Sequence, residues 1–180
     1  MYSTLQLAKK YLHYYLKASS SKGHGVHSPF VFDFIKMVKN DRKKYDCYHV
    51  IEKLRQELLK DKMVIEVEDF GAGSTVIKSN QRRVDKMAAS SLKPKKFAQL
   101  LFRMVQYYKP TSIIELGTSF GITSAYLSSG NPLAKLYTLE GSSAIAHIAV
   151  QNFNLLNLKN VELIEGDFSF SLPQLLSTVT

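Results

Sequence analysis

The chain has little cysteine: Cys47 is the only one among 180 residues. No internal disulfide can form, so the fold must rest on packing, and such usage suits a reducing cytosol. The opening stretch MYSTLQLAKKYLHYYLK lacks the continuous apolar core of a signal peptide, because lysines and tyrosines are scattered through it. No apolar run approaches the roughly 20 residues needed to cross a bilayer. These absences lead to the expectation of a cytoplasmic protein with no membrane partner. There is no internal repeat, and ASSSKGHG at 18–25 reads only as a short flexible joint. No cluster of His, Asp or Glu falls at metal-ligand spacing, so no metal is expected.

What is present is an ordinary globular composition, 45% hydrophobic and 22% charged. The charge is uneven. Residues 1–110 carry 22 Lys and Arg against 10 Asp and Glu, a balance of +12, whereas residues 111–180 carry 2 against 5, a balance of −3. A basic front suits nucleic acid, anionic lipid or an acidic substrate. Its lysines are dispersed and not blocked together, which is the pattern of a solvated helical face, so nucleic acid is the disfavoured partner.

The two halves also differ in pattern. Before residue 110 the periodicity is mostly helical. Leu5, Ala8, Leu12 and Tyr15 fall at helical spacing in 3–17, and Ser28 precedes Pro29 as an N-cap before an apolar stripe. Residues 48–60 read as a third helix, 62–70 as a short strand and 81–91 as a short polar helix. Residues 94–108 form a firm helix, opened by Pro94, with Phe97, Leu100, Leu101, Met104, Val105 and Tyr108 on one face. From Thr111 the order becomes strand, helix, strand, helix, strand, with strands near 112–117, 135–140 and 160–165. That alternation predicts an α/β, Rossmann-like parallel sheet preceded by a helical region, with the division between 1–110 and 111–180.

In such sheets the ligand sits at the carboxyl ends of the strands, and the first strand-to-helix turn dominates. Here that turn lies in SIIELGTSFGITSAYL. Gly117 lets the backbone turn and approach a ligand, Gly121 lets the helix start close against the strand, and Thr118 and Ser119 add hydroxyls. The spacing is G-x-x-x-G and not the G-x-G-x-x-G of dinucleotide sites. Glu115 just before it repels a pyrophosphate and welcomes a cationic amino-acid end. Glu140 ends the second strand, at the distance where a carboxylate holds a ribose diol. Asp167 and Phe168 follow the third strand and suit an adenine, one accepting from its amine and the other lying on its ring. One acid after each of three successive strands fits an adenosine with a positively charged amino-acid tail, as in S-adenosylmethionine.

IIELGTSFGITSAYL, LYTLEG and LIEGDF resemble the first three strand motifs of class I S-adenosylmethionine-dependent methyltransferases. The G-T-x-x-G-x-[ST] turn is similar to that of small-molecule O-methyltransferases of the catechol and caffeoyl-CoA type. HGVHSPFVFDFI and VEDFGAGS resemble the N-terminal part of bacterial members. The resemblance implies that Glu115, Gly117, Thr118 and Gly121 meet the methionine part, with Ser124 at a small-hydroxyl position. It implies that Glu140, with Gly141 after it, meets the ribose, and Asp167 the adenine. The implied reaction is methyl transfer from a sulfonium to an oxygen, nitrogen or carbon nucleophile of a small-molecule acceptor. The alternatives are an RNA-binding or RNA-modifying methyltransferase docking through the basic front, or a non-catalytic fragment that only binds cofactor.

The family fold has seven strands, yet only 63 residues follow Gly117. The chain therefore reads as lacking the C-terminal third, its fourth-strand motif absent and its catalytic residues unassigned. The first strand is then an exposed apolar edge, with self-association expected near Ile113 and Leu116 and poor activity for the chain alone. Otherwise the N-terminal helices cover that edge, or segment 62–70 supplies the missing strand.

Other features have plainer readings. DFGAGS at 69–74 imitates a kinase metal motif, but no H-R-D-type loop accompanies it, and a structural loop is expected. His24 and His27 suit a loop, His13 and His147 helix surfaces, and Tyr107 and Tyr108 a core rim.

Overall fold

Helical periodicity near the N-terminus is realised as α1 (Thr4–Lys17). Ser28 caps α2 (Pro29–Asp33): its hydroxyl accepts the Val31 N–H at 3.4 Å, and Pro29 takes a position where a missing N–H costs nothing. The chain runs on as a π-helix, Phe34–Lys39. The computed structural model describes residues 4–17, 28–67 and 80–179. His24, His27 and the DFGAGS segment lie outside them. The chain divides into two compact units, residues 1–43 and residues 44–180.

The second unit opens with α3 (Asp46–Leu58), which buries Ile51, Leu54 and Leu58. The strands β1 (Val64–Glu66) and β2 (Gln81–Arg83) pair antiparallel as a separate two-stranded sheet. The described part of segment 62–70, residues 62–67, therefore does not extend the main sheet. Then come α4 (Val84–Ser91), α5 (Lys95–Tyr108), β3 (Ser112–Leu116), α6 (Ile122–Gly130), β4 (Lys135–Glu140), α7 (Ser143–Leu155), β5 (Val161–Glu165) and α8 (Phe168–Val179). The sheet order is β3-β4-β5 and every pairing is parallel, with Ser112 opposite Lys135 and Leu136 opposite Val161. The mixed α/β architecture and all three strand positions agree with the sequence reading. The helices α5, from the basic front, and α6, from the acidic back, pack together within this unit.

The face of α5 departs in part from expectation: Val105 is buried as expected, but the buried face is shifted toward Ala98 and Phe102. Ala98, Phe102 and Val105 are buried, whereas Phe97 is 48% and Tyr108 39% exposed. The cause is close approach of α6. A Cβ added at Gly130 would lie 2.8 Å from the Phe102 carbonyl oxygen and 3.0 Å from the Val105 side chain, so α5 meets α6 along its Phe102–Val105 turn. Behind this contact, Tyr45, Tyr48, Phe102 and Tyr126 form a chain of tilted and edge-on ring contacts. Tyr126 is fully buried and donates its hydroxyl to Glu52 Oε1 at 2.8 Å, and Glu52 also pairs with Arg55 at 3.0 Å.

Candidate active site

The turn after β3 uses three left-handed residues: Gly117 (φ +86°), Ser119 (φ +48°) and Gly121 (φ +80°). Leu139 O of β4 accepts both the Gly117 and the Thr118 N–H, at 2.9 and 3.0 Å. A Cβ at Gly117 would meet nothing within 4 Å, so the backbone there faces open space. A Cβ at Gly121 would lie 2.4 Å from the Phe153 ring. The close approach at Gly121 is thus to α7, not to the strand as the sequence suggested.

The three acids have distinct surroundings. Glu115 points among hydroxyls: Ser124 Oγ donates to it at 2.5 Å and Thr138 Oγ1 at 2.8 Å. Thr138 Oγ1 also lies 2.7 Å from Thr118 Oγ1. Thr138 has one proton and gives it to Glu115, so Thr118 donates to Thr138. Burial pushes the Glu115 carboxyl above its ordinary range, and the two hydroxyls and the Lys93 charge oppose that rise. Glu140 ties two elements together. Its Oε2 accepts the Ser119 N–H at 2.9 Å and its Oε1 the Ser142 N–H at 3.1 Å. Asp167 Oδ1 accepts the N–H and the hydroxyl of Ser169, each at 2.7 Å, which holds its carboxyl below the usual range. Phe168 begins α8 and is 36% exposed.

A cleft of about 430 Å³ runs along β3 and the turn. Glu115, Gly117, Thr118 and Ser119 line it, together with Ser91, Lys93, Ile114 and Leu116. Gly121, Ser124, Glu140, Gly141, Asp167 and Phe168 are not among its lining residues. Ser124 is fully buried and bonded to Glu115, so it sets that carboxylate's position. A second cavity, of about 410 Å³, lies under α8 against β4 and β5. Its charges are already paired: Lys135 bridges Glu162 at 2.9 Å and sits 4.8 Å over the Tyr137 ring. Among the described residues no group of His, Cys, Asp and Glu is placed to hold a metal ion.

The structure adds residues that the sequence reading missed. Thr138, a hydroxyl inside the apolar run LYTLEG, carries the Glu115 network. Ser91 Oγ meets Ser119 Oγ at 3.0 Å across the cleft wall. Ser142 Oγ is buried with no hydrogen-bond partner, directly after Glu140 and Gly141. A lone hydroxyl in a hydrophobic strand was the one available signal; the others depend on contacts between distant segments.

No protein-family model matches the chain. Over 59 residues it is 41% identical to a tRNA (guanine-N(7)-)-methyltransferase of Mycoplasma mobile, a stretch covering 33% of this chain and 29% of that protein. The fold is similar to that of the Bacillus cereus O-methyltransferase solved with SAH, with a TM-score of 0.51, 20% identity, and 78% of this chain on 52% of that one. The SAH-bound Podospora anserina methyltransferase gives a TM-score of 0.52 at 14% identity, covering 97% of this chain and 55% of that one. The O-methyltransferase TomG of Streptomyces achromogenes, involved in tomaymycin synthesis and solved with SAM, gives 0.52 at 17% identity, covering 83% and 54%. The chain thus spans about half the length of the solved structures it resembles. The chain has the Rossmann-like fold of the S-adenosylmethionine-dependent methyltransferases.

Proposed function

We propose that this chain carries the S-adenosylmethionine-binding part of a methyltransferase whose acceptor is a small molecule. The observation that carries the reading is the placement of Glu115, Glu140 and Asp167 at or just beyond the carboxyl ends of three adjacent parallel strands, with Glu140 bonded to a turn that has open space at Gly117. The donor set fits the cofactor. Each Glu140 oxygen accepts one backbone N–H and keeps a lone pair for a ribose hydroxyl, and the unpartnered Ser142 hydroxyl lies two residues away in sequence. Asp167 keeps Oδ2 for an exocyclic amine, and Phe168 has an exposed portion for the ring.

When bound, the cofactor supplies an electrophilic methyl group on a sulfonium. The protein's own residues fix and orient. Glu115 places negative charge beside the turn, where it favours a cationic tail. Thr118, Ser124 and Thr138 hold that carboxylate in place. Ser119, tethered to Glu140 and Ser91, fixes the turn that the methionine end meets. Holding the donor in one orientation is the main rate advantage such a site offers. The open edge of β3 near Ile113 and Leu116 is, in the same reading, a site of self-association.

Calorimetry with S-adenosylhomocysteine tests this. Glu140→Ala should weaken binding by about 1–3 kcal/mol, the cost of losing the partner of the ribose hydroxyls. Equal affinity for both proteins rejects the ribose role, and preference for a nicotinamide dinucleotide rejects the cofactor. The similarity to a tRNA methyltransferase favours a second reading, in which RNA is the acceptor. Tight RNA binding at physiological salt, falling steeply as salt rises, would promote it.

A further inference from the structure

Residues 1–43 contain eight Lys and Arg against two Asp, and no acidic residue precedes Asp33. The helix α1 sorts its side chains cleanly. On a helical period Leu7, Tyr11, Ala8, Leu12 and Leu5 occupy one continuous arc of about 160°, and Lys9, His13, Gln6 and Lys10 the arc opposite. A helix of a soluble protein ordinarily buries such a stripe. Here Leu5 is 69%, Leu7 54%, Tyr11 70% and Leu12 58% exposed. The same unit also exposes Phe30, at 64%.

We propose that α1 is an interfacial anchor that lies in the plane of an anionic lipid surface. Its leucines enter the acyl boundary, Tyr11 sits at headgroup level, and Lys9 and Lys10 face anionic headgroups. No described helix is long and apolar enough to cross a membrane, and a helix lying in the interface need not be. The expectation of no membrane partner came from the missing spanning run, which bears only on crossing. Charge complementarity selects the occupant. A second copy of α1 seated stripe to stripe would cover the leucines but leave the outward lysines with no carboxylate in the first 32 residues to pair with. RNA would meet the lysines and leave four large apolar side chains in water. A lipid surface satisfies both arcs at once. This inference is independent of the cofactor reading: it concerns where the protein sits.

The test is flotation of the full chain with vesicles of phosphatidylcholine alone and of an equimolar mixture with phosphatidylglycerol. We expect at least about tenfold stronger partitioning onto the anionic vesicles, weakening as salt rises. Leu5→Glu with Leu12→Glu should abolish it, and Lys9→Gln with Lys10→Gln should lower it several-fold while leaving the helix intact by circular dichroism. The proposal is overturned if the protein ignores anionic vesicles or binds neutral ones equally. It is also overturned if the leucine variant partitions unchanged, or if that variant instead dissolves a dimer. Loss of RNA binding in the lysine variant, without vesicle binding in the parent, overturns it too.

Discussion

Leu136 and Thr138, on one face of the sheet, are fully buried, whereas Ile114 and Leu116, on the other, are 37% and 52% exposed. Side chains alternate along a strand, so Ile113 and Glu115 share the first face with Leu136 and Thr138. On the second face α8 packs against β4, and Leu139 there is fully buried, so the exposure of large apolar side chains is confined to β3. The contrast separates two jobs. The closed face holds the Glu115 network rigid inside packed helices. The open strand, with the cleft along it, is where a ligand or another chain can be met.

The comparison can be broken or sharpened experimentally. The largest effect is expected at Gly121, whose Cβ would strike the Phe153 ring at 2.4 Å from a backbone at φ +80°. Gly121→Ala should cost about 2–4 kcal/mol in denaturant unfolding, from left-handed strain plus overpacking. A loss below about 1 kcal/mol would show that the closed face yields easily. Gly130→Ala puts a methyl against the Phe102 carbonyl, an atom that cannot swing away. Its overpacking cost is partly offset by better helix propensity, leaving about 1 kcal/mol. An increase in stability would mean that α5 and α6 can separate freely.

Glu115→Gln probes the polar part of the closed face. Glu115 holds its proton more tightly folded than unfolded, so ionising it costs stability. The wild type should therefore lose this contribution as pH rises from the ordinary 4.5 through the raised folded value. The variant should flatten the profile in that window, and identical profiles would place Glu115 in a more polar setting than its burial implies. Asp167 works in the opposite direction: its folded value is lowered, so its contribution is present above the unfolded value and is lost as pH falls. The smallest effect is expected on the open strand, where Leu116→Ser should change stability by about 0.5 kcal/mol or less. A larger loss would reveal that this edge is covered in solution.

The sheet was legible because β-branched runs such as SIIEL, bounded by turn residues, have few other uses. Ser28 was legible because a cap acts over three residues, at 3.4 Å from the Val31 N–H. The burial of Ala98 and Phe102 on α5 was not, because Ala98 carries little hydrophobic signal and the Phe102 backbone is met by Gly130 of another helix. Likewise Ser119 meets Glu140 across 21 residues and Ser91 across 28, contacts fixed by how the crossovers fold back and not by local pattern. The acids at the strand ends were readable as positions, but their partners were not.

The hydroxyls behind the turn also have a polarity. With Glu115 ionised, the protons of Thr118, Thr138 and Ser124 all run toward it, like arrows to one target. Both Ser124 and Thr138 donate to Oε2, so a proton taken up on that oxygen makes it a donor and turns at least one arrow around. Thr118 is 2% exposed, so its proton has little water to turn to if the row reverses. The first residue after the glycine is thereby wired to the charge state of a carboxylate it does not touch. A titration at Glu115 should be visible in the chemical shift of Thr118.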